Sequence, residues 1–327
     1  MPAGYRKAVF LSSERVYTKT RTGWTRRNGQ DGHEDMDVAL HLGVHGTDDE
    51  RLLLALLKNR AALAEAGTRV PPSRSYRQML PKLVRSLRGA PAGGDAQEML
   101  RDTLLGEEKA KRLILSHENL SCFPAQAVGP QGLYPYLDLR LAALANIFPT
   151  DRCHFYVALR NPATLVPELL HKAKTPSLAE ALGDLDPREL RWGPLLMRML
   201  EAVPDAELVF WCNEDTPLLW PDILAEIAGA GAPAALEGED DMLSLLLSDE
   251  GMEELRAFVE TSDGHFTPDR RRNVTADFLE RYARPEEMEV TIDMPGWTPD
   301  LIAELTAGYD EDVARIAALS GVRFLMP

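Results

Sequence analysis

The chain has 327 residues, of which 45% are hydrophobic and 27% charged, so it is long enough to bury a substantial core in one large domain or two ordinary ones. No apolar run reaches the roughly 18 residues that a membrane span requires, and the apolar stretch near the N-terminus is too short for a signal peptide. The formal net charge of −15 argues against nucleic acid or an anionic membrane as the main partner.

The N-terminal segment differs in charge from the rest of the chain. Residues 1–30 hold seven Lys or Arg and one acid, a net charge of +6 that leaves −21 on residues 31–327. Residues 29–35 are polar and rich in turn formers, which is typical of a boundary before a first strand. We therefore predict a basic, flexible leader over residues 1–36 and a single α/β domain over residues 37–327. Alternatively, the leader docks on an acidic surface, that of its own domain included.

Short apolar runs alternate with helical patterns along the next two hundred residues. The apolar runs predict strands at 38–42, 112–115, 154–159 and 207–212, with a short extended piece at 69–70. The helical patterns cover 48–66, 76–87, 96–105, 137–146, a segment beginning at 162, 192–202 and 217–228, and then 241–248, 253–260, 268–282 and 299–319. This order predicts a three-layer α/β/α fold with a mostly parallel sheet and a mainly helical C-terminal third.

The stretch after the first strand has the layout of a phosphate-binding loop. The strand leads into a glycine-containing loop and then into a helix, which we predict over residues 48–66. Thr47 and Glu50 have the spacing of a capping box at the start of that helix. The backbone of such a loop can cradle an anion, but Asp48, Asp49 and Glu50 stand where the anion would lie.

Polar residues follow each of the four predicted strands. In open α/β sheets, ligands bind beyond the carboxyl ends of the strands. Here these ends offer His45, His117 and Arg160 together with several carboxylates. Every α/β protein places polar turns at these ends, so the clustering alone does not define a site.

Four separated segments resemble, in order and spacing, the bacterial sulfotransferase-like family over about residues 37–230. They are Leu40-His41-Leu42-Gly43-Val44-His45, Leu115-Ser116-His117-Glu118-Asn119, Val157-Ala158-Leu159-Arg160-Asn161-Pro162 and Trp211-Cys212-Asn213-Glu214-Asp215. The segment Pro295-Gly296-Trp297 and the helix after it are similar to the C-terminal end of that family.

The resemblance implies a P-loop-type fold and transfer of a sulfuryl group from 3′-phosphoadenosine 5′-phosphosulfate to a hydroxyl or an amine. In the family the loop typically reads His-Lys-Thr-Gly-Thr-Thr and holds the phosphosulfate, which by position assigns His45, Gly46 and Thr47 to donor binding. An arginine matching Arg160 and a serine eight residues later would hold the 3′-phosphate. A histidine or carboxylate would deprotonate the acceptor, so His117 and Glu118 are the candidate catalytic residues.

The chain departs from the family at the donor site. Gly46 replaces the loop lysine, and three acids at 48–50 replace a glycine and two hydroxyl residues. Glu168 lies where the serine is expected. A carboxylate about 4 Å from a phosphate opposes binding by about 1 kcal/mol even in bulk water. These departures predict that the loop has lost its donor.

Each candidate residue also has a purely structural interpretation. Arg160 either contacts a phosphate or pairs with a local acid, and His117 and Glu118 either act as a base or form hydrogen bonds at a strand end. Glu214 and Asp215 are expected to be structural, with Asp215 capping the next helix. A histidine at 41 is expected in the interior, and the Arg270–Arg272 run on a solvated helix face.

A metal site is the least favoured alternative. His45, Asp48, Asp49 and Glu50 are hard ligands that suit Mg²⁺ or Ca²⁺, but helix geometry points the three acids in different directions. We therefore predict no metal.

Three functional hypotheses follow. The first is a sulfotransferase-like protein that needs no cofactor and acts by binding or regulation; the second is an active transferase that uses the phosphosulfate donor on a carbohydrate or other hydroxyl acceptor. The third is a module that recruits a partner protein through the basic leader. Three widely spaced cysteines, Cys122, Cys153 and Cys212, fit thiols in a reducing cytoplasm, where we expect the protein.

Overall fold

A six-stranded parallel sheet forms the centre of the molecule. The computed structural model describes residues 5–8, 36–106, 109–174, 177–262, 267–292 and 294–327. The strands of these residues are β1 (Tyr5–Ala8), β2 (Asp37–His41), β3 (Thr68–Arg69), β4 (Arg112–Ser116), β5 (Val128–Gly129), β6 (Gly132–Leu133), β7 (Arg152–Leu159), β8 (Glu207–Cys212), β9 (Glu289–Ile292) and β10 (Val322–Phe324). The main sheet has the order β10-β8-β7-β2-β4-β3, and every neighbouring pair in it is parallel.

Helices connect and cover these strands. Within the described ranges they are α1 (Arg51–Lys58), α2 (Arg60–Glu65), α3 (Met79–Leu87), α4 (Gly94–Leu105), α5 (Leu137–Ala145), α6 (Pro162–Ala173), α7 (Leu178–Leu182), α8 (Gly193–Ala202), α9 (Thr216–Ala228), α10 (Leu243–Leu246), α11 (Asp249–Thr261), α12 (Pro268–Tyr282), α13 (Pro285–Met288) and α14 (Pro299–Ala317).

The two faces of the sheet are buried in two separate cores. Successive side chains of a strand point to opposite faces, so Val38 and Leu40 of β2 enter one core while Ala39 enters the other. The first core is closed by buried residues of α3 to α8 and α14, and the second by those of α1, α2 and α9 to α12. The predicted three-layer α/β/α fold with its helical C-terminal part is confirmed.

The strand order places the loop after β2 at the switch point of the sheet. The chain leaves β2 for β3 and β4 on one side and then crosses over to β7, β8 and β10 on the other. Ligand crevices of open α/β sheets lie at such points. The loop over residues 42–50 is therefore at the position where the fold would hold a ligand.

The four predicted strands of the sheet are present within two residues of their predicted ends. The C-terminal strand β10, which the sequence pattern did not indicate, adds an edge beside β8. The helix predicted over 48–66 is wrong in extent, because α1 begins at Arg51 and the helix is interrupted at Asn59 before α2.

The prediction of a leader over residues 1–36 falls largely outside the described residues, which resume at 36. Within it, Tyr5–Ala8 forms β1, which pairs antiparallel with β9. No helix among the described residues is long and apolar enough to cross a bilayer.

Candidate functional site

Four residues of the loop between β2 and α1 have positive φ values. Gly43 and Gly46 have φ values of 86° and 66°, and Asp49 and Glu50 also have positive φ values, 46° and 64°. Such a backbone is unfavourable for residues with a Cβ, and residues held in it cluster at functional sites. The two consecutive acids in this conformation delay the start of the helix to Arg51.

The predicted capping box is wrong because of this path. Thr47 Oγ1 donates to the carbonyl of Val44 at 2.8 Å, and Glu50 makes no side-chain cap. Asp48 caps the helix instead: its carboxylate accepts from Leu52 N–H at 3.1 Å, and its carbonyl accepts from Arg51 N–H at 2.9 Å. Asp48 thus accepts hydrogen bonds from N–H groups at the start of α1, which an incoming anion would otherwise accept.

Two N–H groups of the loop point at side chains of the same chain. The N–H of Gly46 donates to Glu118 Oε2 at 3.3 Å, and the N–H of His45 donates to the Tyr134 hydroxyl at 3.2 Å. Gly43 has to be small as well, because a Cβ there would lie 3.3 Å from the Cβ of Glu118. The loop curls as a phosphate cradle would, but a carboxylate of the protein lies in it.

Arg160, at the end of β7, is drawn to the same loop. Its Nη1 donates to the Gly46 carbonyl at 2.6 Å and forms an ion pair with Glu168. Its Nε donates to Thr164 Oγ1 at 3.2 Å, and its side chain is only 10% exposed. Arg160 therefore pairs with the acid that stands where the resemblance expects a serine.

A second cation, Lys172 of α6, completes the group. Its Nζ lies 3.3 Å from Glu168, 3.6 Å from Glu118 and 3.5 Å from Asp49. Burial alone would lower the pKa of Lys172, but the three carboxylates raise it above its ordinary value. We call Glu118, Arg160, Glu168 and Lys172, together with the backbone of Gly46, the loop charge cluster.

His45 faces away from this cluster and into the core. Its Nε2 lies 3.1 Å from the Cys122 carbonyl, which can only accept, so Nε2 carries the proton. Its Nδ1 then accepts from the Tyr134 hydroxyl at 2.9 Å. Burial lowers the pKa of His45, which favours this neutral form. The ring of His45 positions the loop and has no nitrogen left for a ligand.

His117 is also engaged. Its Nδ1 accepts from Asn119 N–H at 3.0 Å, and its Nε2 lies 3.7 Å from a Glu50 oxygen. Burial lowers the pKa of His117, and the Glu50 and Glu118 carboxylates oppose that shift only in part. A neutral ring with Nδ1 accepting keeps its proton on Nε2, so no lone pair is left for a general base in this arrangement.

Thus the structure brings together three of the six candidate residues and separates the other three. The loop charge cluster contains Gly46, Glu118 and Arg160. The side-chain hydrogen bonds of the other three are to residues outside that cluster: Thr47, His45 and His117. The role of all six in catalysis or donor binding stays a prediction.

Several residues considered structural have structural partners. Glu214 is buried and accepts from Asn161 N–H at 2.8 Å and from the Tyr309 hydroxyl at 2.7 Å, and burial raises its pKa. Asp215 occupies the N-cap position of α9, but its carboxylate makes no cap, so that prediction is wrong. His41 is buried in the second core, with Nδ1 2.7 Å from Ser116 Oγ.

Of the arginine run at the start of α12, Arg271 contacts Glu239 at 2.8 Å, and Arg272 contacts Asp222 at 2.9 Å. These two side chains join α12 to neighbouring segments. Arg270 is exposed and the Arg271 side chain is 41% exposed, so these two lie on a solvated face as expected, whereas the Arg272 side chain is only 20% exposed.

The four residues weighed as a cation site do not converge. Asp48 caps α1, Asp49 lies beside Arg51 and Lys172, and Glu50 faces His117. Across the described ranges, no group of three or more His, Cys, Asp or Glu is arranged to hold a metal ion.

The phosphosulfate donor that the resemblance implies does not fit the residues around the loop. Gly46 cannot be replaced by the missing lysine without movement, because a Cβ there would overlap the Glu168 carboxylate. The donor's anionic groups would also meet Glu118 and Glu168.

Sequence reasoning missed two residues that contact this loop, Lys172 and Tyr134. Lys172 could have been found one helical turn after Glu168, whereas Tyr134 lies in a stretch without a pattern.

Comparison with known proteins adds no family assignment. No protein-family model matches the chain, and no curated protein gives a significant match.

Proposed function

We propose that this chain is a sulfotransferase-like protein that does not bind the nucleotide donor and acts by binding or regulating a partner. One observation carries the proposal: the carboxylate of Glu118 lies on the Gly46 N–H, and that of Glu168 pairs with Arg160. In an active site of this type, both positions would receive oxygens of the donor.

The charge balance supports the same conclusion. Arg160 and Lys172 are neutralised by Glu118 and Glu168, and the exposed Asp49 adds further negative charge. A donor with a phosphosulfate and a 3′-phosphate would have to displace both carboxylates or lie beside them. Each remaining carboxylate at about 4 Å costs about 1 kcal/mol in bulk water and several times more in a partly dry cleft.

Calorimetric titration tests the loss of the donor. The 327-residue chain is titrated with 3′,5′-ADP, the desulfated donor, and with 3′-phosphoadenosine 5′-phosphosulfate itself. We expect no binding heat up to millimolar ligand. Binding at micromolar concentration of either nucleotide would overturn the proposal.

A second candidate function is an active sulfotransferase on a carbohydrate or other hydroxyl acceptor. The specific observation in its favour is Lys172, whose ammonium lies beside the loop that lacks its own lysine. In that case, radiolabelled transfer to a panel of hydroxyl acceptors is abolished in Arg160→Ala and strongly reduced in Lys172→Gln. Turnover that is unchanged in both variants would exclude a role for the cluster in transfer.

A further inference from the structure

Three hydrogen-bond donors converge at the loop after β2. The N–H of Gly46 donates to Glu118, Arg160 Nη1 pairs with Glu168, and Lys172 Nζ lies within 3.6 Å of both acids. A backbone N–H, a guanidinium and an ammonium that converge in this way form the usual recognition set for a tetrahedral oxyanion. Here carboxylate oxygens of the protein occupy that position.

Arg160, the least exposed side chain of the cluster, is fixed more firmly than the two carboxylates. Arg160 is held by Thr164 and by the Gly46 carbonyl, and its own carbonyl accepts from the indole of Trp192 at 2.9 Å. The Arg160 side chain is 10% exposed, whereas those of Glu118 and Glu168 are 26% and 28% exposed. The two acids therefore lie at the solvent side of the cluster, where a change of rotamer can carry them into water.

We propose that Gly46 N–H, Arg160 and Lys172 form a seat for a sulfate or phosphate group, which the carboxylates of Glu118 and Glu168 close as internal ligands. This inference rests on the proposed function in one respect, because the closed seat explains why the native chain does not bind the nucleotide donor. The carboxylates satisfy the same donors as an oxyanion would, so ligand and protein compete for one position.

The test replaces the two carboxylates by amides of the same shape. Glu118→Gln/Glu168→Gln is titrated with inorganic phosphate, with inorganic sulfate and, in a separate arm, with 3′,5′-ADP. We expect it to bind phosphate or sulfate at least about tenfold more tightly than the native chain, because the native affinity is reduced by the fraction of molecules in which the seat is closed. Adding Lys172→Gln should abolish the gain.

The matched control, Glu253→Gln/Glu260→Gln, removes two exposed carboxylates of α11 and so makes the same change in net charge. It should bind neither anion more tightly than the native chain. An equal gain in this control would mean that net charge alone is responsible and would overturn the proposal. Circular dichroism checks the fold of each variant, and Glu168→Gln alone carries the test if the double variant does not fold.

The outcomes separate this inference from the proposed function. If the native chain binds 3′,5′-ADP at micromolar concentration, the proposed loss of the donor fails. If the native chain and the double variant both fail to bind phosphate and sulfate, the seat does not exist, although the proposed function stands. Binding of the nucleotide but of neither inorganic anion by the double variant would also overturn the seat, because the affinity would then come from the nucleoside.

Discussion

Gly46 has no side chain, and the structure gives two reasons why it cannot easily carry one. Its φ of 66° lies in the left-handed region, which costs an alanine about 1 kcal/mol. A Cβ would in addition overlap the Glu168 carboxylate that pairs with Arg160. The first reason belongs to the backbone alone, whereas the second depends on Glu168.

We therefore expect Gly46→Ala to lower the free energy of unfolding by about 2–4 kcal/mol, the sum of the backbone cost and the loss of the Glu168–Arg160 ion pair when the carboxylate turns away. In a Glu168→Ala background, the same change should cost only about 1 kcal/mol. Urea unfolding of the native chain, the two single variants and the double variant gives this cycle.

Gly89→Ala is the matched control for the backbone cost. Gly89 has a φ of 84°, and a Cβ there would meet no atom within 4 Å. We expect it to cost about 1 kcal/mol. Equal costs for Gly46→Ala with and without Glu168 would show that the carboxylate does not occupy the loop.

Sequence reasoning could indicate parts of this cluster but not their assembly. Gly46 and Glu168 stood out because they replace the residues expected in a donor site. Pairing of Arg160 with a local acid was one of two open interpretations, but the sequence did not name Glu168 as that acid, since eight residues along the chain do not fix how a strand-end side chain turns. The positive φ values of Asp49 and Glu50 are not predictable from residue type, because only a few per cent of non-glycine residues adopt them. The capping box and the helix start were wrong for that reason.

At the scale of elements, α14 is attached to the rest of the molecule by a buried carboxylate. Asp312 accepts from Arg191 Nε at 2.9 Å and Nη2 at 2.8 Å, and from the N–H of Trp192 at 2.8 Å. Packing here is close: a Cβ on Gly193 would lie 2.9 Å from an Asp312 oxygen, and one on Gly308 would lie 3.3 Å from Arg191. The contact joins α14 to the segment that begins α8.

Asp312→Ala should lower the free energy of unfolding by about 3 kcal/mol, because it leaves a buried N–H and a guanidinium without their acceptor. The neighbouring Glu311 also contacts Arg191, at 3.1 Å, but its side chain is 59% exposed. Glu311→Ala should therefore cost less than about 1 kcal/mol. Chemical unfolding of both variants checks the difference, and equal effects would mean that Asp312 does not hold α14.

The helical pattern predicted α14 and most of its neighbours, since their apolar faces recur at helical spacing. The contact of Asp312 with Arg191 could not be predicted, because its partners are 121 residues apart. The strand β10 was missed for a related reason. At this sheet edge Val322 and Phe324 are only partly buried and Arg323 is exposed, so the strand lacks the apolar run that marks β2, β4, β7 and β8.

At the scale of the whole molecule, the pKa values of the histidines are shifted in opposite directions at the two ends of the sheet. At and just beyond the carboxyl ends of the strands, burial lowers the pKa values of His41, His45 and His117. At the amino ends, His154 lies between two carboxylates, 3.2 Å from Asp37 on β2 and 2.9 Å from Glu207 on β8. Burial alone would lower the pKa of His154, but its hydrogen bonds to both acids raise it.

The surroundings of His154 include charges from every neighbouring element. Arg152 lies 3.0 Å from Asp37, and Arg112 of β4 lies 3.9 Å from the same carboxylate. Arg323 of β10 lies 3.9 Å from Glu207 and also contacts Glu226 of α9 at 2.5 Å. The pKa values of Asp37 and Glu207 are both lowered. Burial is the largest effect on Asp37 and raises its pKa, but the hydrogen bond to His154 and the charges of His154, Arg152 and Arg112 together outweigh it. For Glu207 the hydrogen bond to His154 is the largest cause.

These pKa shifts predict how the contribution of His154 to stability changes with pH. A histidine with a raised folded-state pKa stabilises fully below its unfolded pKa of about 6.5, and this contribution is lost as the pH rises through the folded-state pKa. The lowered pKa values of Asp37 and Glu207 work in the other direction, so their contribution is lost as the pH falls through their folded-state values. The stabilisation by His154 is thus greatest in mildly acidic solution.

The margin is the free energy of unfolding of the native chain minus that of His154→Gln. We expect this margin to be largest near pH 5.5 and to shrink towards pH 8.5. The comparison between the two proteins is needed because His41, His45 and His117 have lowered pKa values and favour the fold as the pH rises towards 6.5. Urea unfolding at a series of pH values measures the margin. In a Glu207→Gln background, the pH-dependent part of the margin should be smaller, since one of the two acceptors has lost its charge. A margin that is constant from pH 5.5 to 8.5 would mean that His154 is not charged between these strands and that the amino end of the sheet is held by the arginines alone.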